Sequence, residues 1–136
     1  MSARTNVSAA AAKYRGVQVA TCSPIQLLVM LYDGVVRFVG EADDAMAKKD
    51  RARAGERIGK ALAILEELSA TLDTKQAPEL CSTLLGLYEF SRAHLLEANL
   101  HQDPARLADV VAVMTPLREA FALSAGAALP PNEASI

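Results

Sequence analysis

The sequence predicts an all-α protein, an antiparallel up-down four-helix bundle with a flexible N-terminal segment. Apolar residues recur at spacings of three and four in four separate stretches, which is the pattern of helices with one buried face. Cap residues and prolines punctuate those stretches, and no stretch reads as a convincing strand. The apolar weight, 51% of the 136 residues, is carried by Ala, Leu and Val, with no Trp and 4% aromatics. That composition suits helix packing better than aromatic-rich strands, and the length is that of one domain with a sizeable core.

The first helix is announced by Ser23 as a cap, Pro24 at the first helical position and Gln26 in the reciprocal capping-box place. Ile25, Leu28, Val29, Tyr32, Val35, Val36, Val39 and Met46 form its stripe, and Lys48 and Lys49 are expected in its last turn, at the negative end of the dipole. Asp50 caps the second helix, whose stripe is Ala54, Ile58, Ala61, Leu62, Leu65, Leu68 and Leu72. Pro78 opens the third helix, with Leu80, Leu84, Leu87, Tyr88, Ser91, Leu95 and Ala98 on its inner face. Asp103-Pro104 ends that helix and starts the fourth, which uses Leu107, Val110, Val111, Met114, Leu117 and Phe121. Pro116 is expected to kink or break the fourth helix, and Gly126 to stop it. Short connections force antiparallel neighbours. The expected organisation is a mobile tail over 1–13, a bundle over 14–124 and a frayed C-terminal tail over 125–136 that carries Pro130-Pro131.

A net charge of −2 supplies no general attraction to nucleic acid or anionic lipid. No apolar run reaches the ~18 residues of a membrane span, and the start lacks the apolar core of a secretory signal. Cys22 and Cys81 fit no metal-ligand spacing and read as free thiols. A cytoplasmic protein without membrane insertion is the expectation.

Chemistry is sparse. His94 raises the alternative of a histidine phosphotransfer bundle, but the following Leu95-Leu96-Glu97-Ala98 lacks the Lys and Gly that flank a phosphorylated His. Asp43-Asp44 and Glu66-Glu67 are adjacent pairs that point apart on a helix and suit solvent. No Glu-x-x-His pair or Gly-rich phosphate loop occurs, so no enzyme activity and no cofactor is expected. Arg51, Arg53, Arg57 and Lys60, with Lys48 and Lys49, read as a solvated basic face.

The apolar surface exceeds what one stripe per helix requires. Leu27, Leu31 and Phe38 lie beside the main stripe of the first helix when residues are stepped by ~100°. Leu85, Leu96 and Leu100 form a second row on the third. Such rows either close the bundle, make a weak homodimer or await a partner.

The stretch from Tyr14 through Thr21-Cys-Ser-Pro24 to Met30-Leu-Tyr-Asp-Gly34 resembles the opening of the flagellin-specific flagellar export chaperones, the FliS family. The likeness continues at Lys60-Ala61, Glu67-Leu68, Leu87-Tyr88, Ala98-Asn99, Asp103 and Leu117-Arg118-Glu119-Ala120, covering about residues 14–124. Departures are Cys22 for the usual Ala, Ala77-Pro78 for a common Gly-Gly, and Phe121 for the usual Trp. The resemblance implies a helical bundle that binds the disordered C-terminal segment of flagellin and hands it to the flagellar export apparatus. It also implies that the segment near Tyr14 lies over a groove. On this basis Leu27, Leu31, Leu85, Leu96 and Leu100 are expected to line the flagellin groove, with Tyr14 near its mouth and Asn99 as a further contact.

Overall fold

The computed structural model describes residues 24–128, which form four helices and, among the described residues, no strand. They are α1 (Pro24–Ala47), α2 (Arg51–Ala70), α3 (Pro78–His101) and α4 (Pro104–Ala128). Tyr14, the cap expected at Ser23 and the two tails lie outside the described residues, apart from the start of the C-terminal one.

Each described start has a chemical cause. The Asp50 carboxylate accepts from the Arg53 N–H at 3.1 Å, which satisfies one orphan donor of α2. Pro78 and Pro104 open α3 and α4 where a missing N–H costs nothing, and Asp103 accepts from the Ala105 N–H at 3.0 Å. Two helix ends are turned by residues in the left-handed region, Lys49 at φ 57° and Gln102 at φ 50°. Return bonds close both: Asp50 N–H to the Ala45 carbonyl at 2.8 Å and Asp103 N–H to the Ala98 carbonyl at 3.0 Å. Lys48 and Lys49 therefore lie just past α1 rather than in its last turn, because α1 ends at Ala47.

α4 is continuous through Pro116 and through Gly126, so neither the break nor the stop expected there occurs. Pro116 is exposed. The carbonyl that loses its donor therefore faces the solvent side, where water can replace the lost bond.

The helices pack as a square. α1 borders α2 and α4, and α3 borders α2 and α4, with α1–α3 and α2–α4 across the diagonals. Of the four neighbouring pairs, α2 and α3 share the least contact, and their connection, 71–77, is the longest. The core is built from the expected stripes, with Val35 and Val39 meeting Ile58, Leu65, Leu84, Leu95, Val110 and Met114. Tyr32 and Tyr88 place their hydroxyls 2.5 Å apart across one diagonal, both rings fully buried. Phe121 stacks on Tyr32 at 5.7 Å between centroids, and Arg118 Nε donates to Asp33 Oδ1 at 2.6 Å, so α4 is tied to α1 by packing and charge. On the other side of α1, Gly34 leaves room for the tip of Ile64 from α2: a Cβ there would meet Ile64 Cδ1 at 2.8 Å.

Two inner-face assignments change. Leu80 is 52% exposed because it sits in the first turn of α3, at the end of the bundle beside the 71–77 connection. Glu67 is buried whereas its neighbour Glu66 is exposed, so that pair is split between interior and solvent.

Candidate functional site: the cleft between α2 and α3

The loosest seam of the bundle opens into a cleft of about 480 Å³. From α2 it is lined by Gly59, Leu62, Ala63 and Glu66, and from α3 by Tyr88, Glu89, Arg92 and Leu96. Helical geometry explains the choice. Gly59 and Ala63 follow one another at i, i+4 on the flank of α2 beside its buried stripe, and both are small. A Cβ at Gly59 would meet nothing within 4 Å, so the space is real. Further along the seam the helices close up, where a Cβ added at Gly55 would meet the Asn99 side chain in ordinary van der Waals contact.

The cleft floor is apolar and its walls carry charge. Leu65 and Tyr88 form buried floor, and Leu62 is half-buried. Leu96 is 45% exposed at the lip, and Leu100, one turn on, is 66% exposed. Glu66, Glu89 and Arg92 are all exposed, and among the described residues none of them makes an ion pair within 4 Å. An apolar trough with bare leucines and unpaired charges at its edge is suited to holding an amphipathic chain segment.

The expected row on α3 is thus brought together. Leu85, Leu96 and Leu100 fall within about 60° of one another around α3 at ~100° per residue, and Asn99 stands between them and α2. Asn99 also accepts a hydrogen bond at its carbonyl from Gln102 Nε2 at 2.8 Å. Leu27 and Leu31 sit elsewhere. Both are half-buried on the flank of α1 that meets α2, beside Gly34, and Leu31 packs against the core. They therefore lie on the opposite side of α2 from Leu96 and Leu100. The α2 contribution was not anticipated; mid-helix Gly59, four residues before Ala63 on the same flank, was the signal in the sequence.

Other features resolve into structure. His94 Nδ1 lies 2.9 Å from the Phe90 carbonyl, Nε2 lies 3.5 Å from Asp109 Oδ2, and the ring packs 3.9 Å from the Phe90 ring. Both ring nitrogens are engaged, and a carboxylate stands where an incoming phosphoryl group would need positive or neutral surroundings. The basic face is partly an aromatic cage in reverse: Arg37, Arg57 and Lys60 lie 4.7, 6.0 and 5.9 Å from the centre of the Phe38 ring. Arg57 also pairs with Glu41 at 3.2 Å and Glu56 at 3.3 Å. Cys81 is an unpaired buried thiol, and Cys22 lies outside the described residues. Among the described residues no three His, Cys, Asp or Glu are placed to hold a metal ion. Nor is any described helix long and apolar enough to cross a membrane.

Comparison with known proteins converges on one family. Residues 6–127 match the family model described as flagellar protein FliS. The chain is 32% identical over 108 residues to the flagellar secretion chaperone FliS of Bacillus subtilis, covering 79% of this chain and 80% of that one. It is 33% identical over 104 residues to the flagellar secretion chaperone FliS of Escherichia coli, covering 76% of each. To the flagellar secretion chaperone FliSB of Pseudomonas aeruginosa it is 32% identical over 104 residues, 76% of this chain and 82% of the relative. With a four-helix bundle, an open apolar seam and this match over residues 6–127, the protein belongs to the FliS family of flagellar secretion chaperones.

Proposed function

We propose that this chain is a cytoplasmic, non-enzymatic export chaperone that holds the C-terminal segment of flagellin in the α2–α3 cleft. It thereby blocks premature polymerisation and presents flagellin to the flagellar export apparatus. The observation that carries this reading is the pairing of an open apolar trough with solvent-exposed Leu96 at its lip and Leu100 exposed one turn beyond. Family membership supports it, since the relatives are named flagellar secretion chaperones.

The energetics suit a holder that must also release. Full burial of a leucine side chain contributes roughly 1.5–3 kcal/mol, so covering two half-exposed leucines yields about half of that each. A disordered segment loses conformational entropy on docking, which offsets part of the gain. Affinity then comes from many modest contacts spread over length. Leu27 and Leu31 fit this scheme as a second contact on the far side of α2, reached by a segment that wraps the helix, with Tyr14 as an additional contact.

Calorimetric titration with the flagellin C-terminal segment tests the reading. One-to-one binding with a negative heat-capacity change is expected, and Leu96→Glu is expected to lose binding while keeping the helical signal, because Leu96 is exposed. A folded wild-type chain that leaves the segment unbound would overturn the proposal.

A further inference from the structure

From the charges on the cleft walls, we infer that the α2–α3 cleft reads the electrostatic pattern and the direction of its client helix, Glu66 and Glu89 taking a basic side chain and Arg92 an acidic one. This rests on the cleft being the client site. Its subject is which segment is accepted and which way it runs.

Gly55 faces Asn99, which fixes the antiparallel register of α2 against α3. Stepping back from that contact brings Gly59 level with Leu95 and Leu96, Leu62 level with Arg92, and Glu66 level with Tyr88 and Glu89. Glu66 and Glu89 therefore stand on opposite walls at one level of the trough, on the side of the 71–77 connection. The guanidinium stands about one helical turn nearer Asn99, a shift of about 4.5 Å for three residues. All three groups line the same cavity, are exposed, and lack an ion partner within 4 Å among the described residues.

Two carboxylates at one level of the trough make that end of it attractive to a cation, while Arg92 makes the neighbouring turn attractive to an anion. Leu62 below and Leu96 beside them are apolar, so a ligand consisting of a free ion would leave the trough unfilled. The fitting occupant is an amphipathic helix. Its apolar stripe covers Leu62, Leu96 and Leu100. Along one edge it carries a Lys or Arg and, three or four residues away, an Asp or Glu. Reversing the helix would set its acid against Glu66 and Glu89 and its base against Arg92. The charge order thus selects one direction where the leucines alone would accept either.

The test uses the full chain, the flagellin C-terminal segment as probe, and three variants: Glu66→Lys/Glu89→Lys, Arg92→Glu, and the milder Glu66→Gln/Glu89→Gln. Affinity is measured by titration at low and physiological salt, with circular dichroism confirming that each variant is folded. Each charge reversal is expected to weaken binding about 5-fold at low salt. The wild-type affinity should fall with salt more steeply than that of the Gln variant. Variants that bind like the wild type, with the same salt dependence, would overturn the charge reading. If Leu96→Glu still abolishes binding in that case, the cleft remains the client site. Failure of the wild-type chain to bind would overturn the functional proposal and this inference with it.

Discussion

Replacing Tyr88 by Phe removes a single oxygen from the centre of the bundle and should cost far more than that atom's size suggests. The Tyr32 and Tyr88 hydroxyls are each other's partners at 2.5 Å, and both residues are at most 1% exposed. Tyr88→Phe leaves the Tyr32 hydroxyl buried without a partner, a desolvation penalty of about 1–3 kcal/mol. Tyr32→Phe strands Tyr88 in the same way. The double Phe variant strands nothing and keeps both rings, including the Phe121 stack at 5.7 Å, so it should lie within about 1 kcal/mol of wild type. Urea unfolding followed by far-ultraviolet circular dichroism gives the four stabilities, and the expected coupling, the two single costs less the double cost, is about 1–6 kcal/mol. Additive single-variant costs would refute the reasoning, because they would mean that neither hydroxyl depends on the other. An alkaline signature accompanies the pair. Burial pushes both phenols above the ordinary value of about 10, most strongly for Tyr32. The unfolded chain then gives up its tyrosine protons near pH 10 while the folded chain keeps them. This contribution is complete below that pH and is lost as pH rises above it, with a slope of about 1.4 kcal/mol per pH unit for each phenol. The double Phe variant should lack that decline.

The remaining predictions concern local defects in an otherwise well-satisfied core. The Ser91 hydroxyl is fully buried with no hydrogen-bond partner, so Ser91→Ala should raise stability by about 1 kcal/mol; a lowered urea midpoint would show that the hydroxyl is paired in solution. Lys49 and Gln102 adopt left-handed backbone that favours glycine. Lys49→Gly should therefore stabilise by about 0.5–1 kcal/mol. Gln102→Gly should gain less, since it forfeits the bond to the Asn99 carbonyl. Thermal melting resolves both, and a loss at Lys49 would contradict the strain argument.

Helix positions and inner faces were legible because each depends on one helix alone. The stripe from Tyr32 through Val39 and the cap at Asp50 were visible in the sequence for that reason. Features that depend on how one helix is turned against another were not. The Tyr32–Tyr88 pair needs a diagonal neighbour, which no single stripe names. Leu27 and Leu96 look equivalent as flank residues of their own helices, yet α2 stands between them. Glu66 and Glu67 are adjacent in sequence and differ in burial because they point to different sides of α2. Pro116 was expected to kink or break α4. No break occurs, because the ring falls on the exposed face, where a lost backbone bond is cheap to replace.

The unequal seams have a mechanical consequence. α1–α2 and α3–α4 are two hairpins joined by connections at 48–50 and 102–103, and the α1–α4 contact, with its Tyr32–Phe121 stack and Asp33–Arg118 pair, joins one hairpin to the other. The opposite seam is the sparse one. The molecule is thus bound like a book, with α1 and α4 as the spine and α2 and α3 as the free edges of the covers. A small rotation about that spine widens the cleft where contact is least, and the Tyr32–Tyr88 bond across the diagonal is the tie that limits it. Fitting the thickness of an incoming helix is the deformation this bundle resists least.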